Sequence, residues 1–344
     1  MARYPYSPAL KPPGNWTSVD FADPRLAPAI CLMVRNIRTD TSSYIPPDGL
    51  TIRREQAKVW DGETINCCIL EPEGGCPKLP TVLYCHGGGF FLPIQPMMLH
   101  LAAQYAKELG VRVYMPEYRI LPEHPNPYPF RDCLSILERI QKQNVPYLLY
   151  GESAGGTLAA GLALWARDHG IRAANGQCLV YPVMDNRCSR YASMRLYSDA
   201  AWPLKNNLTM WREYLKNGKD GLDDYLVPMT ARDVSNLPKA YIEPQQIDTL
   251  RDEAIAYANR LQNAGNKVSL HTGYVLDDVK MAQQVAEAEG RHLTFIASVL
   301  GTTADLQDKN KQERQLREAG VIVCQTNYRA AVLASEIIRQ IKEG

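Results

Sequence analysis

An α/β fold, a mostly parallel sheet covered by helices on both faces, is predicted by three observations. Apolar stretches of four to seven residues alternate with amphipathic stretches of twelve or more. No internal repeat or low-complexity run interrupts them. The 344 residues suit one large domain or two small ones, at about 100–200 residues each, and a core of that size needs no staples.

Taken in order, the apolar runs place strands at 65–70, 81–85, 111–115, 146–150, 177–181, 240–243 and 267–271. The amphipathic runs between them place helices at 98–109, 131–143, 154–168, 204–215 and 252–262. Two regions depart from the alternation. One is the Pro-rich first 50 residues; the other, about 186–223, carries Trp202, Trp211, Tyr191, Tyr197 and Tyr214. Insertions of this kind form lids over sites, and equally their aromatics can do no more than cover core.

With 38 Lys+Arg against 37 Asp+Glu, the net charge of +1 removes the electrostatic argument for nucleic acid or an anionic membrane as the main partner. A small-molecule substrate is the better default. The opening MARYPYSPALKPPGNW has no apolar core of a signal peptide, and nowhere do 18 apolar residues run together. The expectation is a cytoplasmic, unexported chain without a membrane span. Nine Cys, with no CxxC pair and no His at ligand spacing, read as reduced thiols and exclude a zinc site.

The strongest motif is Gly151-Glu152-Ser153-Ala154-Gly155-Gly156, between the apolar YLLY and the helical LAAGLALWA. Strand, GxSxG, helix is the context of a nucleophile elbow, where a strained turn lifts the Ser153 hydroxyl above the sheet and glycines allow tight packing. The Ala154 N–H at the helix start would donate to an oxyanion. The second motif, His86-Gly87-Gly88-Gly89-Phe90, follows the strand TVLYC. Its consecutive glycines expose backbone N–H groups suited to the other half of an oxyanion hole. His86, at the mouth of the loop, is read as holding it in shape.

These pieces, together with EYRILPEHPNPYP (117–129), YPVMD (181–185) and IDTLRDEAIAYANRLQNAG (247–265), resemble the hormone-sensitive-lipase-like carboxylesterases of the α/β-hydrolase superfamily. The resemblance runs to about Gly273. It implies hydrolysis of short-chain acyl esters without a cofactor, and a cap closing over the acyl pocket. Carried over, Ser153 is the nucleophile and Asp248 the triad acid. Gly88, Gly89 and Ala154 supply oxyanion N–H groups, with His86 and Gly87 supporting the loop. Asp248 also follows the strand 240–243, at the carboxyl edge where α/β sites form. Asp252 and Glu253 are read as negative charge at a helix N-terminus. Arg119, Glu123 and Asp132 are read as ion pairs that fix loops.

The pattern breaks at the base. Serine at neutral pH needs an imidazole to take its proton and return one to the leaving alkoxide. Counted on from Asp248, the family's His position falls on Asp278, and only His292 follows. Past Gly273 the family's last strand and helix are not recognisable. The chain reads instead as a helix at 278–289, a strand at 293–299, a helix at 306–319, a strand at 321–324 and a helix at 328–341. Gly290 and Gly320 sit at C-caps, with Thr303 or Asp305 at the next helix start. This tail, 274–344, resembles the C-terminal flavodoxin-like part of FdrA-type proteins related to acyl-CoA synthetases, without their nucleotide and CoA segments. A generic βα pair is its plain alternative.

Three functions are compatible with these features. One is a serine carboxylesterase, impaired by the missing His. The second is a catalytically dead hydrolase-fold protein that binds a small ligand, as in the plant gibberellin receptors, which resemble the same family and lack the His. The third is a chimeric gene product. An unfinished sheet edge would invite pairing between chains, hence an oligomer, or require a cover.

Overall fold

The structure, a computed structural model, describes residues 41–196, 202–219, 221–245, 248–271, 290–298 and 309–325, with isolated positions between 283 and 336. Its main sheet has eight strands: β1 (Leu50–Lys58), β2 (Thr64–Pro72), β3 (Thr81–Cys85), β4 (Arg112–Pro116), β5 (Tyr147–Glu152), β6 (Gly176–Val180), β7 (Ala240–Glu243) and β8 (Val268–Leu270). They lie in the order β1-β2-β4-β3-β5-β6-β7-β8. β1 pairs antiparallel with β2, and β2 with β4; every later pairing in this sheet is parallel. The fold class read from the alternation is the one observed.

Strand burial explains which strands the apolar runs reveal. All five residues of β3 are buried, and they divide by parity. Leu83 and Cys85 join one core with Leu149 and Leu158; Val82 and Tyr84 join the other with Val113, Leu99 and Ala103. β1 went unpredicted because it is an edge strand with one wet face. Its sequence LTIRREQAK buries only Leu50 and Ala57, so no apolar run marks it.

Helices α1 (Pro96–Leu109), α2 (Tyr128–Gln141) and α3 (Ala154–Asp168) follow, then α4 (Ala192–Leu196), α5 (Leu204–Tyr214), α6 (Asp223–Leu226) and α7 (Arg251–Asn263). α2 starts before the predicted 131, since a proline in the first turn gives up no hydrogen bond. α3 is buried on nearly every side, because the sheet, α2 and α6 enclose it. The Arg119 guanidinium forks onto the fully buried Asp132 at 2.9 and 2.6 Å and reaches Asp61 at 2.6 Å, over the Tyr128 ring. These are the structural ion pairs expected of that motif.

In the tail, β9 (Ile296–Ser298) and β10 (Ile322–Cys324) are joined through α8 (Lys309–Glu318). They pair parallel with one another, Ile322 opposite Ile296, and not with β8. The expected strand at 293–299 is thus shorter, and His292 precedes it, exposed. Gly290 and Gly320 have φ of 68° and 79°, as left-handed helix ends require. Asp278, Tyr197, Thr303, Asp305 and most of the predicted helices 278–289 and 328–341 lie outside the described residues. Beside β8, Leu148, Cys178, Tyr241 and Ser269 line a groove on one face of the sheet.

Candidate active site

β5 delivers the chain into Ser153, whose φ of 51° and ψ of −122° make it a strained non-glycine turn, and α3 begins at the next residue. The turn is pinned by its backbone. Ser153 N–H donates to Val180 O (3.0 Å), and Ser153 O accepts from Gly156 and Val183 N–H, both at 2.9 Å. α3 starts so close to the end of β3 that a Cβ on Gly155 would collide with the Cys85 carbonyl and lie 2.6 Å from His86 O. Among the described residues the Ser153 hydroxyl makes no hydrogen bond. Ala154, first in α3, has no intrahelical acceptor for its N–H.

The glycine loop leaves β3 directly beside this turn. An ideal Cβ on Gly87 would stand 3.3 Å from Ser153 Cβ and 3.2 Å from Glu152 O. His86 shapes the loop. Its ring stacks on Tyr118 at 4.1 Å, its carbonyl accepts from the Tyr118 hydroxyl at 2.7 Å, and its Nδ1 lies 2.8 Å from Gly87 O. A carbonyl only accepts, so Nδ1 carries the proton. Burial pushes this imidazole down to about 4. A trans peptide points its C=O and N–H in opposite directions, so tying Gly87 O to the ring turns the Gly88 N–H away from it. Gly88 (φ 106°) and Gly89 (φ 59°) spend neither N–H on a hydrogen bond among the described residues.

Asp248 follows β7. Its Oδ1 accepts from Leu250 N–H (2.8 Å) and Thr249 Oγ1 (3.2 Å), and burial nevertheless raises its pKa. Burial first, then Glu152 and more weakly Asp248, raise the Tyr181 phenol. Asp252 and Glu253 stand in the first turn of α7, as the sequence predicts, and each also makes a tertiary contact. Asp252 Oδ2 accepts Ser193 N–H at 2.7 Å and so ties α4 to α7. Glu253 is wholly buried and accepts Met184 N–H at 2.9 Å, while its Oε2 has no partner among the described groups.

Glu253 makes stability depend on pH. Burial lifts its folded pKa well above the usual carboxylate value, so between the unfolded and folded pKa the folded chain holds a proton that the unfolded chain lacks. Stability from this group is therefore full below the unfolded pKa and is lost as pH rises through the folded one. Glu253→Gln keeps an acceptor for Met184 and has no proton to lose. Its melting temperature is expected to fall less than wild type between pH 5 and pH 9; an identical slope in the two proteins would refute this.

All six histidines lie among the described residues, and none hydrogen-bonds Ser153. His86 is committed to its loop. His100 is exposed on α1, His169 stacks on Trp165 at 3.6 Å, and His271 is exposed at the end of β8, 5.2 Å from the Tyr241 ring. His124 lies 5.1 Å from Tyr128, and His292 is exposed in the tail.

The aromatics of the insertion are placed differently. Trp211 and Tyr214 are core, with Tyr214 stacked on Phe90 at 4.2 Å. Trp202 instead reaches the glycine loop, where a Cβ on Gly89 would fall 2.8 Å from Trp202 Cζ2. Its proximity to Gly89 has no local sequence signal beyond its aromatic character. Among the described residues, no three His, Cys, Asp or Glu groups are placed to share a metal ion. No helix among them is long and apolar enough to cross a membrane.

Strained serine turn, glycine loop and part-buried acid at the carboxyl edge of a mostly parallel sheet are the arrangement of one class of folds. Residues 82–274 match the alpha/beta hydrolase fold, and the chain belongs to that family. The carboxylesterase NlhH of Mycobacterium tuberculosis is 31% identical over 276 residues, which are 74% of this chain and 86% of that protein. The ethyl acetate hydrolase of Pseudomonas putida is 28% identical over 67% of this chain and 76% of its own length. The chain spans only 64% of a putative alpha/beta hydrolase of Acanthamoeba polyphaga mimivirus, at 26% identity. Among solved structures, a bacterial heroin esterase superimposes with a TM-score of 0.66 at 32% identity, covering 74% of this chain and 84% of that one. Residues 266–337 match a CoA-ligase family, so the two matches overlap only over 266–274.

Proposed function

We propose that the chain is a serine carboxylesterase of short-chain acyl esters whose turnover is slow because no imidazole serves its nucleophile. The observation that supports this reading is the close approach of the glycine loop to the strained serine turn, where a Cβ on Gly87 would stand 3.3 Å from Ser153 Cβ, with Gly88 and Gly89 next in the chain and their N–H groups unused among the described residues. Ser153 attacks the ester carbonyl. The developing oxyanion is held by the Gly88, Gly89 and Ala154 N–H groups, and His86 and Gly87 keep the loop in register. Asp248 takes the place of the triad acid. In a complete triad its carboxylate would orient and stabilise an imidazolium; here its part-buried carboxyl accepts only from Thr249 and Leu250 among the described residues. The serine proton passes to water, a poor base, and the acyl-enzyme then waits on equally unassisted hydrolysis.

The unassisted second step gives the test. After incubation with p-nitrophenyl acetate, peptide mass spectrometry is expected to find one acetyl group on Ser153, and none at that position in Ser153→Ala. Its absence would favour a ligand-binding protein without turnover, the reading that the unpaired serine independently supports. The same proposal divides the chain near residue 273, with an esterase-like domain before it, capped by about 1–50 and 186–223, and an appended tail in 274–344 that takes no part in the chemistry. A small-molecule ester is the partner, with no cofactor and a cytoplasmic site of action.

A further inference from the structure

We infer that Trp202 sets the size of the acyl group this site accepts, confining it to chains of about two carbons. The inference rests on the esterase reading above and concerns a residue to which neither motif points.

The indole lies in contact with Gly89, one of the proposed oxyanion donors. An oxyanion accepted by that N–H stands about 2.9 Å from the nitrogen, so its carbonyl carbon is held by the same residue that the ring edge packs against. Two hydrogen bonds and packing against the core hold the residue there. Its Nε1–H donates to Asn207 Oδ1 at 3.0 Å, its backbone carbonyl accepts from Thr249 Oγ1 at 2.9 Å, and both partners are fully buried. Thr249 adjoins Asp248, and its own carbonyl accepts the Ser193 hydroxyl at 2.6 Å, so the wall is continuous with the acid loop and α4.

The wall belongs to the acyl side for a chemical reason. Attack by Ser153 Oγ forms the Oγ–carbon bond and breaks the bond from that carbon to the alcohol oxygen, which leaves with its electron pair and takes a proton. Water then replaces the alcohol, so that side must open to solvent. The acyl group stays bound through both steps, and a closed wall of buried partners suits the group that stays. In a closed pocket each added methylene that fails to fit costs about tenfold or more in rate.

The experiment measures the rate at which Ser153 is acylated by p-nitrophenyl acetate, butyrate and hexanoate, in wild type, Trp202→Ala and Trp202→Phe. The leaving group is constant, so only the acyl side varies. Wild type is expected to fall steeply from acetate to hexanoate, Trp202→Ala to raise hexanoate relative to acetate by about tenfold or more, and Trp202→Phe to lie between. The phenylalanine keeps an aromatic against Gly89 should the alanine variant fold poorly. Acylation with the same chain-length ratios in all three proteins overturns the role of Trp202 and leaves the esterase reading standing. No acylation of wild-type Ser153 by any ester overturns both.

Discussion

Wild-type protein is expected to turn over p-nitrophenyl acetate about six orders of magnitude more slowly than a hydrolase with an intact triad, while remaining about 10³–10⁴-fold faster than water alone. The first figure is what loss of the base costs when nucleophile and base act as a unit; the second is what preorganised N–H donors and binding retain. With the unit broken, as the proposed function has it, Ser153→Ala should change steady-state turnover far less than it would in a complete triad. Free imidazole distinguishes the cases. Added to wild type, it should raise the rate in excess of its own direct attack on the ester, with Ser153→Ala as the measure of that background. Equal imidazole dependence in the two proteins would show that Ser153 cannot be served by a base at all. A wild-type rate near that of complete hydrolases would mean that a group other than the six histidines takes the serine proton.

The second large effect concerns stability. Gly155→Ala in the first turn of α3 should destabilise the protein by about 2–4 kcal/mol, read as a lower urea midpoint with unchanged slope. Propensity argues the other way, since alanine for glycine inside a helix gains about 1 kcal/mol. Collision wins here because the added methyl meets the Cys85 and His86 carbonyls, backbone atoms of β3 and its loop that cannot swing aside; overpacking typically costs about 1–3 kcal/mol, occasionally more, and a clash with backbone falls at the upper end. Gly110→Ala is the contrast. A Cβ there meets nothing within 4 Å, so only its left-handed φ of 62° is penalised, at about 1–2 kcal/mol. Equal losses in the two variants would refute the packing argument.

Much of this was open to reading in one dimension, and the reason is locality. β3 and β5 carry continuous apolar runs because both of their faces are buried, and GESAGG is strand end, turn and helix start in six consecutive residues. The lack of a histidine after Asp248 other than His271 and His292 needs only the sequence. β1 has no such run because it is a half-wet edge strand, and Glu253 stands in a helix first turn as the sequence predicts, while its burial against Met184 comes from packing that the local sequence does not carry.

By itself, then, the sequence determined the fold class, the GxSxG and HGGG motifs and the change of family resemblance near residue 273, all written in neighbouring residues or in their order. Tertiary structure alone decided that none of the six histidines bonds Ser153, that the tail strands pair with each other and leave β8 without them, and that Trp202 from a distant insertion lies against Gly89. Each of those depends on where separate elements pack. Contacts across more than a hundred residues are selected by the shape of the whole core and leave no periodicity behind.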